Sequence, residues 1–71
     1  MTLFLNEKGA SKLNCPVGLP VDIQIDEGAR YTNEVSHNGY LLGYVVALDC
    51  FSEECDPDQT RQAFKEFEIM V

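Results

Sequence analysis

Basic residues are scarce in this chain of 71 residues. Five lysines and arginines stand against 12 aspartates and glutamates, which gives a formal net charge of −7 at neutral pH. A protein that binds free DNA or RNA needs cations to neutralise the phosphates, and cations also attract a protein to anionic lipid headgroups. The composition therefore argues against direct nucleic-acid binding and against a membrane surface as partner.

Long apolar runs are missing as well. The longest one, from Tyr40 to Leu48, falls far short of the ~20 residues that span a bilayer. The N-terminus has no basic segment, and it reaches Glu7 before an apolar stretch typical of a secretory signal develops. We expect a cytoplasmic, soluble protein. A chain of this length forms one domain, residues 1–71, which buries only about 60% of the surface that its unfolded form exposes.

Metal-ligating residues are few: three cysteines and one histidine. A reducing compartment keeps the cysteines as free thiols, and a Cys50–Cys55 disulfide that leaves Cys15 unpaired is the alternative for an exported protein. With His37, these cysteines have the ligand types of a Cys₃His zinc site. Structural zinc sites usually contain two close pairs, however, and this sequence has one. We therefore expect neither a metal nor another cofactor.

Catalytic motifs are also lacking. The sequence has no glycine-rich phosphate loop and no Cys-x-x-Cys redox pair, and the acidic segment 49–58 contains no glycine of the kind that a calcium-binding EF-hand loop requires. His37 is the sole imidazole, and in an extended segment the neighbouring Ser36 would point to the opposite face. We expect no enzymatic activity.

In the first part of the chain, the sequence predicts strands separated by a loop. Thr2 to Leu5 is short and apolar, which indicates an edge strand, and residues 6–9 are typical of a turn. From Ala10 to Pro20, prolines and a glycine interrupt any regular element and favour a loop. Val21 to Asp26 alternates strictly between apolar and polar residues, which is the pattern of a half-buried strand.

The strongest local signal is Asn38-Gly39, between a candidate strand at residues 29–37 and the apolar run. This dipeptide favours a two-residue type I′ turn and therefore predicts a β-hairpin. The turn predicts a register in which the following pairs face each other: His37 with Tyr40, Val35 with Leu42, Asn33 with Tyr44, and Tyr31 with Val46. One face of the hairpin would then collect Tyr31, Val35, Leu42, Tyr44 and Val46.

The apolar run itself indicates a central strand. Tyr40 to Leu48 is apolar almost throughout, so it would be covered on both faces or have its second face at an interface. Gly43 would mark a bulge or a close approach of another backbone.

The last part of the chain predicts a helix. Asp56 is a candidate N-cap, Pro57 suits the first helical position, and Gln59 suits a capping box. Helical spacing relates the apolar or partly apolar residues Thr60, Ala63, Phe64, Phe67 and Val71. A terminal strand over residues 66–71 fits the same sequence and stays open. Together these elements predict an α+β fold, a small antiparallel β-meander of three or four strands with one C-terminal helix, with a small β-barrel as the alternative.

The acidic residues are unevenly distributed: residues 1–35 carry a net charge of −2 and residues 36–71 carry −5. A localised negative patch steers a protein toward basic surfaces. The predicted partner-binding residues are Asp49, Glu53, Glu54, Asp56 and Asp58, with Asp22, Asp26 and Glu27 as a second acidic group and Tyr40 as an aromatic anchor. A solubilising acidic surface over an aromatic core explains the same residues without a partner.

These features predict a small acidic, non-enzymatic protein-binding module. It would inhibit or modulate a partner by docking on a basic surface, such as that of a nucleic-acid-binding protein. In size and acidity the chain resembles small inhibitors of host nucleic-acid machinery that phages and mobile elements encode, anti-CRISPR proteins among them, although the resemblance covers no motif. The alternatives are a homo-oligomeric accessory protein, such as a homodimer through residues 40–48, and a zinc-stabilised module.

Overall fold

The chain forms an antiparallel sheet with two α-helices in a computed structural model, which describes residues 2–26 and 32–70. The elements in chain order are β1 (Thr2–Leu5), α1 (Glu7–Leu13), β2 (Pro20–Asp26), β3 (Thr32–His37), β4 (Tyr40–Val45), a 3₁₀ turn (Leu48–Cys50), β5 (Phe51–Ser52) and α2 (Pro57–Met70). The strand order is β4-β3-β2-β1-β5. The α+β class with a C-terminal helix is confirmed, with five strands, and the barrel alternative is wrong because the sheet is open.

Both helices lie on the same face of the sheet. Strand pairing places Leu5, Val21 and Val35 on this face, and all three are fully buried. From α1, Leu13 approaches Gly43, the residue opposite Val35. From α2, an aromatic ring packs against His37, two residues along β3. The core of the protein therefore fills the space between one face of the sheet and two helices.

The other side of the sheet, which we call the open face, is not covered by any helix or strand of the described residues. Its members with described side chains, identified by strand pairing and alternation, are Phe4, Pro20, Asp22, Gln24, Thr32, Glu34, Ser36, Leu41, Tyr44 and Ser52. Each of these side chains is exposed or half-buried. The sheet therefore presents one bare face of mixed polar and apolar character.

The strand at the start of the chain exists, but its predicted edge position is wrong. β1 lies between β2 and β5, because the chain returns after the 3₁₀ turn and places Phe51 opposite Leu5. β5 is only two residues long. A strand of two residues that pairs with a strand so distant in the sequence leaves no periodic pattern. β5 could therefore not be predicted from the sequence.

The turn predicted at residues 6–9 and the start of the predicted loop are wrong as well, since they form α1. The side chain of Asn6 caps this helix by accepting a hydrogen bond of 3.0 Å from the Gly9 N–H. Asn14 ends it in a left-handed conformation at φ 55°, with its N–H donating to the carbonyl of Ala10. The loop prediction holds for residues 14–19, where no helix or strand forms.

Gly9 explains why the sequence pattern favoured a turn. A glycine in a helix costs about 1 kcal/mol relative to alanine. Here the glycine allows α1 to approach the 3₁₀ turn, since a Cβ atom at Gly9 would lie 2.3 Å from the carbonyl oxygen of Cys50. The glycine therefore serves packing between two backbones and does not mark a turn.

The predicted strand at residues 21–26 and the predicted hairpin turn at Asn38-Gly39 are both confirmed. β2 alternates as expected at its start, with Val21 buried and Asp22 exposed. Asn38 and Gly39 adopt positive φ angles of 50° and 82°, as a type I′ turn requires. The preceding strand is described from Thr32 onward, so the predicted strand residues 29–31, including Tyr31, lie outside the described residues.

The predicted hairpin register is wrong beyond the first pairs, because β4 contains a bulge. His37 faces Tyr40 as expected, but Val35 faces Gly43, which leaves Leu42 as an extra residue. The interpretation of Gly43 as a bulge site is confirmed, and its φ angle of 154° is one that other residues rarely adopt. Each later residue of β4 is shifted by one position, which exchanges the two faces of the strand.

Two further predictions about the apolar run are wrong. The sequence predicts Tyr44 and Val46 on the same face of the hairpin as Val35, but Val35 is buried whereas Tyr44 and Val46 are 55% and 71% exposed. β4 was expected in the centre of the sheet, but it is an edge strand. Its end is held by the buried Asn33, whose side-chain amide donates to the carbonyls of Val45 and Val46 at 3.2 and 3.3 Å.

The predicted C-terminal helix is confirmed, and the alternative of a strand is wrong for residues 66–70. Asp56 caps α2, since its carboxylate accepts a hydrogen bond of 2.9 Å from the Asp58 N–H. The capping box does not form, because the Gln59 side chain instead accepts a bond from the Cys55 thiol. The helix continues to Met70, and the predicted apolar position Val71 lies outside the described residues.

Candidate functional site

The described basic residues are confined to the helical layer of the molecule, which carries acids as well. The basic residues in the described part of the chain all lie on the helices: Lys8 and Lys12 on α1, Arg61 and Lys65 on α2. Arg30 lies outside it. Over their described residues, the strands carry acidic side chains on the open face and no lysine or arginine. The open face is therefore negatively charged, and none of the described residues places a lysine or arginine on it.

The acidic side chains of the open face stand beside apolar ones in two rows across the sheet. One row consists of Gln24, Glu34 and Tyr44, and the other of Asp22, Ser36 and Leu41. Asp22 and Glu34 are diagonal neighbours on adjacent strands, which places their backbones about 7–8 Å apart. Tyr44 and Leu41 border these carboxylates toward the edge of the sheet. The surface can thus contact cationic and apolar groups together.

We call Asp49, Glu53, Glu54, Asp56 and Asp58 the loop acids. Two of them already form ion pairs within the chain. Asp49 forms a salt bridge with Lys8. The hydrogen bond from Lys8 holds the pKa of Asp49 below its usual value, and the same pair raises the pKa of Lys8. Asp58 forms a salt bridge with Arg61 in the first turns of α2. A basic partner would have to displace a lysine or an arginine to reach either carboxylate.

The other loop acids lie near the β5 margin of the sheet. Glu53 and Glu54 are exposed and form no salt bridge with any residue in the described ranges. Glu54 and Asp56 border a shallow cavity of about 310 Å³ together with Glu7 and Phe4. Asp56 and Glu7 stand at the starts of the two helices, where a negative charge stabilises the helix dipole. These two acids therefore have a structural role of their own.

The structure does not bring the predicted site residues together. Asp22 lies on the open face, whereas Tyr40 lies on the covered side of β4, 55% exposed, with its ring 5.8 Å from that of Phe67. Glu53 and Glu54 follow β5 at the opposite margin of the sheet, and Asp56 and Asp58 stand at the start of α2. Glu27 and the side chain of Asp26 lie outside the described residues.

Sequence reasoning missed three residues of the open face: Glu34, Leu41 and Tyr44. Glu34 alternates with buried residues of β3 and could have been found from that pattern. Tyr44 could not, because its exposure depends on the bulge before it.

His37 is a buried structural residue, 8% exposed. Its Nδ1 atom donates to the carbonyl of Pro20 at 2.7 Å, and its ring contacts Phe64 and Phe67 at centroid distances of 5.3 and 4.9 Å. No three histidine, cysteine, aspartate or glutamate side chains form a possible metal site within the described ranges. The ligand set proposed for zinc is therefore dispersed.

The three cysteines are free, and they differ in burial. Cys50 has no exposed surface, and burial raises the pKa of the half-buried Cys15 thiol, which donates to the carbonyl of Leu13 at 3.3 Å. The thiolate is the reactive form of cysteine. The burial of Cys50 and the raised pKa of Cys15 therefore slow the reaction of these two thiols with chemical reagents.

We therefore predict that a disulfide reagent such as DTNB modifies at most two thiols of the folded protein, the half-buried ones, and the Cys50 thiol only after unfolding. A Cys55→Ser variant should lose one of the accessible thiols and keep the protected one. Equal rates for all three thiols in the native state would contradict this arrangement of the cysteines.

None of the described helices is both long and apolar enough to cross a membrane. Comparison of the chain with protein-family models, with curated proteins and with solved structures finds no match. The function is therefore inferred from the surface of this chain.

Proposed function

We propose that this chain is a non-enzymatic protein-binding module whose open face docks on a basic surface of a partner protein. The partner surface is of the kind with which a nucleic-acid-binding protein holds phosphates, and the module inhibits or modulates the partner by occupying it. The observation that carries this proposal is that the described bases all lie on the helices, which leaves Asp22 and Glu34 on the open face without a described cation on that face.

The spacing of the two carboxylates supports a basic segment as the docking element. Side chains on one face of an extended segment recur every two residues, about 6.6–6.8 Å apart. This distance is close to the roughly 7–8 Å expected between diagonal neighbours such as Asp22 and Glu34. Two arginines or lysines at alternate positions of a partner segment can therefore each meet one carboxylate.

The apolar neighbours add contact area to this electrostatic recognition. Tyr44 and Leu41 are 55% and 46% exposed and border the acids toward β4. Tyrosine offers a large contact area and loses little conformational entropy on binding. Glu53 and Glu54, exposed at the β5 margin, extend the negative surface in the other direction.

A short oligoarginine peptide tests which surface accepts a basic ligand. We expect its addition at low salt to shift the backbone amide signals of β2, β3 and β4 in the NMR spectrum, and to leave those of α1 and α2 nearly unchanged. Because exposed charges are screened by salt, affinity should fall as the ionic strength rises. Signal shifts centred on the helices would contradict the proposal that the open face is the binding surface.

A pair of variants separates the open face from net charge alone. Asp22→Asn combined with Glu34→Gln removes two acids of the open face, and Glu66→Gln combined with Glu68→Gln removes two exposed acids of α2. Exposed ion pairs are individually weak, so we expect the first variant to lose roughly two- to tenfold in affinity for the peptide. The second should change little. Equal losses would mean that the peptide responds to net charge and that no face is preferred.

A further inference from the structure

The outer edge of β4 is a row of backbone groups without a strand partner among the described residues, since β4 ends the sheet order. Large apolar side chains stand along it: Tyr40, Leu41 and Tyr44 are 55%, 46% and 55% exposed, and Val46 beyond the strand is 71% exposed. An edge of this kind is a template for pairing with another strand.

The edge also lacks the charges that usually prevent such pairing. Natural sheets protect their edges with charged side chains, lysine above all. Residues 38–48 contain no aspartate, glutamate, lysine, arginine or histidine. The bulge at Leu42 interrupts regular pairing on the turn side, so the part of β4 available for a ladder begins at Gly43.

The exposed apolar area near this edge matches what a dimer requires. Ile69 and Met70 at the end of α2 are 86% and 51% exposed, and Met70 borders a cavity of about 220 Å³ together with Leu41 and Leu42. At roughly 150–200 Å² per large side chain, the exposed apolar residues along β4 and at this helix end expose on the order of 600 Å². Standard interfaces bury about 800 Å² per partner.

We propose that β4 pairs antiparallel with β4 of a second copy of this chain, joining the five strands of each copy into one continuous sheet. Pairing of identical strands about a twofold axis perpendicular to the sheet is self-complementary and closed, as in most homodimers. A second copy is the occupant because the edge is neutral. A basic partner would find no charge there to complement, whereas two uncharged apolar edges match each other.

The net charge of −7 on each copy does not oppose this pairing at physiological salt. Neighbouring strands lie about 4.8 Å apart, so the two β3 strands, which carry Glu34, would be about 14 Å from each other across the dimer. The two β2 strands, which carry Asp22, would be about 24 Å apart. The Debye length is about 8 Å at 0.15 M salt and about 30 Å at 0.01 M. The acids of the two copies therefore repel each other at low salt only.

This geometry places both open faces on the same side of the joined sheet. The proposed basic partner would then meet two acidic faces side by side. Dimer formation and docking are separate proposals, and salt affects them in opposite directions: dimerisation strengthens as salt rises and docking weakens.

Sedimentation equilibrium at micromolar concentration tests the dimer. At about 0.15 M salt we expect twice the chain mass of 8.0 kDa, with the mass falling toward the monomer at about 0.01 M. A monomer mass at both salts, or masses that grow beyond two copies, would overturn the closed dimer. Either result would leave the oligoarginine mapping of the open face as it stands.

Two matched variants locate the interface. Tyr44→Lys places one positive charge at the edge, and Ile25→Lys places one on β2 at a residue that is 60% exposed and away from β4. We expect the first variant to be monomeric and the second to remain a dimer, with circular dichroism confirming that both are folded. Hydrogen exchange gives an independent readout, since the outward amides of β4 from Gly43 onward should be protected in the dimer and exchange rapidly in Tyr44→Lys. A dimer that survives Tyr44→Lys with unchanged β4 exchange would overturn the proposed interface.

Discussion

Replacing Phe67 with alanine is expected to lower the free energy of unfolding by about 3–5 kcal/mol, the usual cost of removing a buried phenylalanine. Phe67 is 9% exposed and contacts the rings of His37 and Tyr40. At about 0.05–0.15 kcal/mol per residue, a domain of this length has a total stability of only about 4–11 kcal/mol. The Phe67→Ala variant should therefore lose a large part of its stability.

Urea denaturation followed by circular dichroism measures this effect, and Ile69→Ala on the same helix is the control. Ile69 is 86% exposed, so its truncation should change the free energy of unfolding by less than about 0.5 kcal/mol. Both variants are compared at low salt and low protein concentration, where the proposed dimer is dissociated. A loss below about 1 kcal/mol for Phe67→Ala would mean that α2 does not pack on His37.

The elements that the sequence could predict are those set by a few adjacent residues. The start of α2 depends on Asp56 and Pro57, and the hairpin turn depends on Asn38 and Gly39. In each case a side chain or a backbone angle acts within one turn of the chain, so the pattern is complete in the local sequence. These predictions are confirmed because no distant contact competes with them.

The faces of β4 could not be predicted, because they depend on a contact between distant elements. A Cβ atom at Gly43 would lie 2.8 Å from Leu13 of α1, so the bulge occurs where the helix approaches the strand. One extra residue then exchanges the two faces for the rest of the strand. The exposure of Tyr44, and with it the apolar border of the open face, follows from that single residue.

The state of the loop acids could be predicted only in part. The pair of Asp58 and Arg61 is three residues apart in a helix, a spacing that sequence analysis can recognise. The pair of Lys8 and Asp49 joins α1, a helix that sequence analysis missed, to the 3₁₀ turn 41 residues away. Acid counts along the sequence therefore overestimated the free negative charge of this loop.

Gly9→Ala is expected to destabilise the protein although alanine is the better helix former. The gain in helix propensity is at most about 1 kcal/mol. Against it, the new methyl group would meet the Cys50 carbonyl at 2.3 Å and Leu5 at 3.1 Å. A backbone oxygen cannot rotate away as a side chain can, so α1 or the 3₁₀ turn must shift, and overpacking of this kind costs about 1–3 kcal/mol. We expect a net loss of up to about 2 kcal/mol, seen as a fall in Tm of up to roughly 16 °C.

Ser11→Ala is the matched control, because Ser11 is exposed on the same helix. It gains the same type of helix propensity without a clash, so its Tm should stay the same or rise slightly. The two substitutions thus change Tm in opposite directions if the approach of α1 to Cys50 limits the space at Gly9. A Gly9→Ala variant as stable as Ser11→Ala would mean that α1 stands away from the 3₁₀ turn, and the pairing of Lys8 with Asp49 would then lose its structural basis.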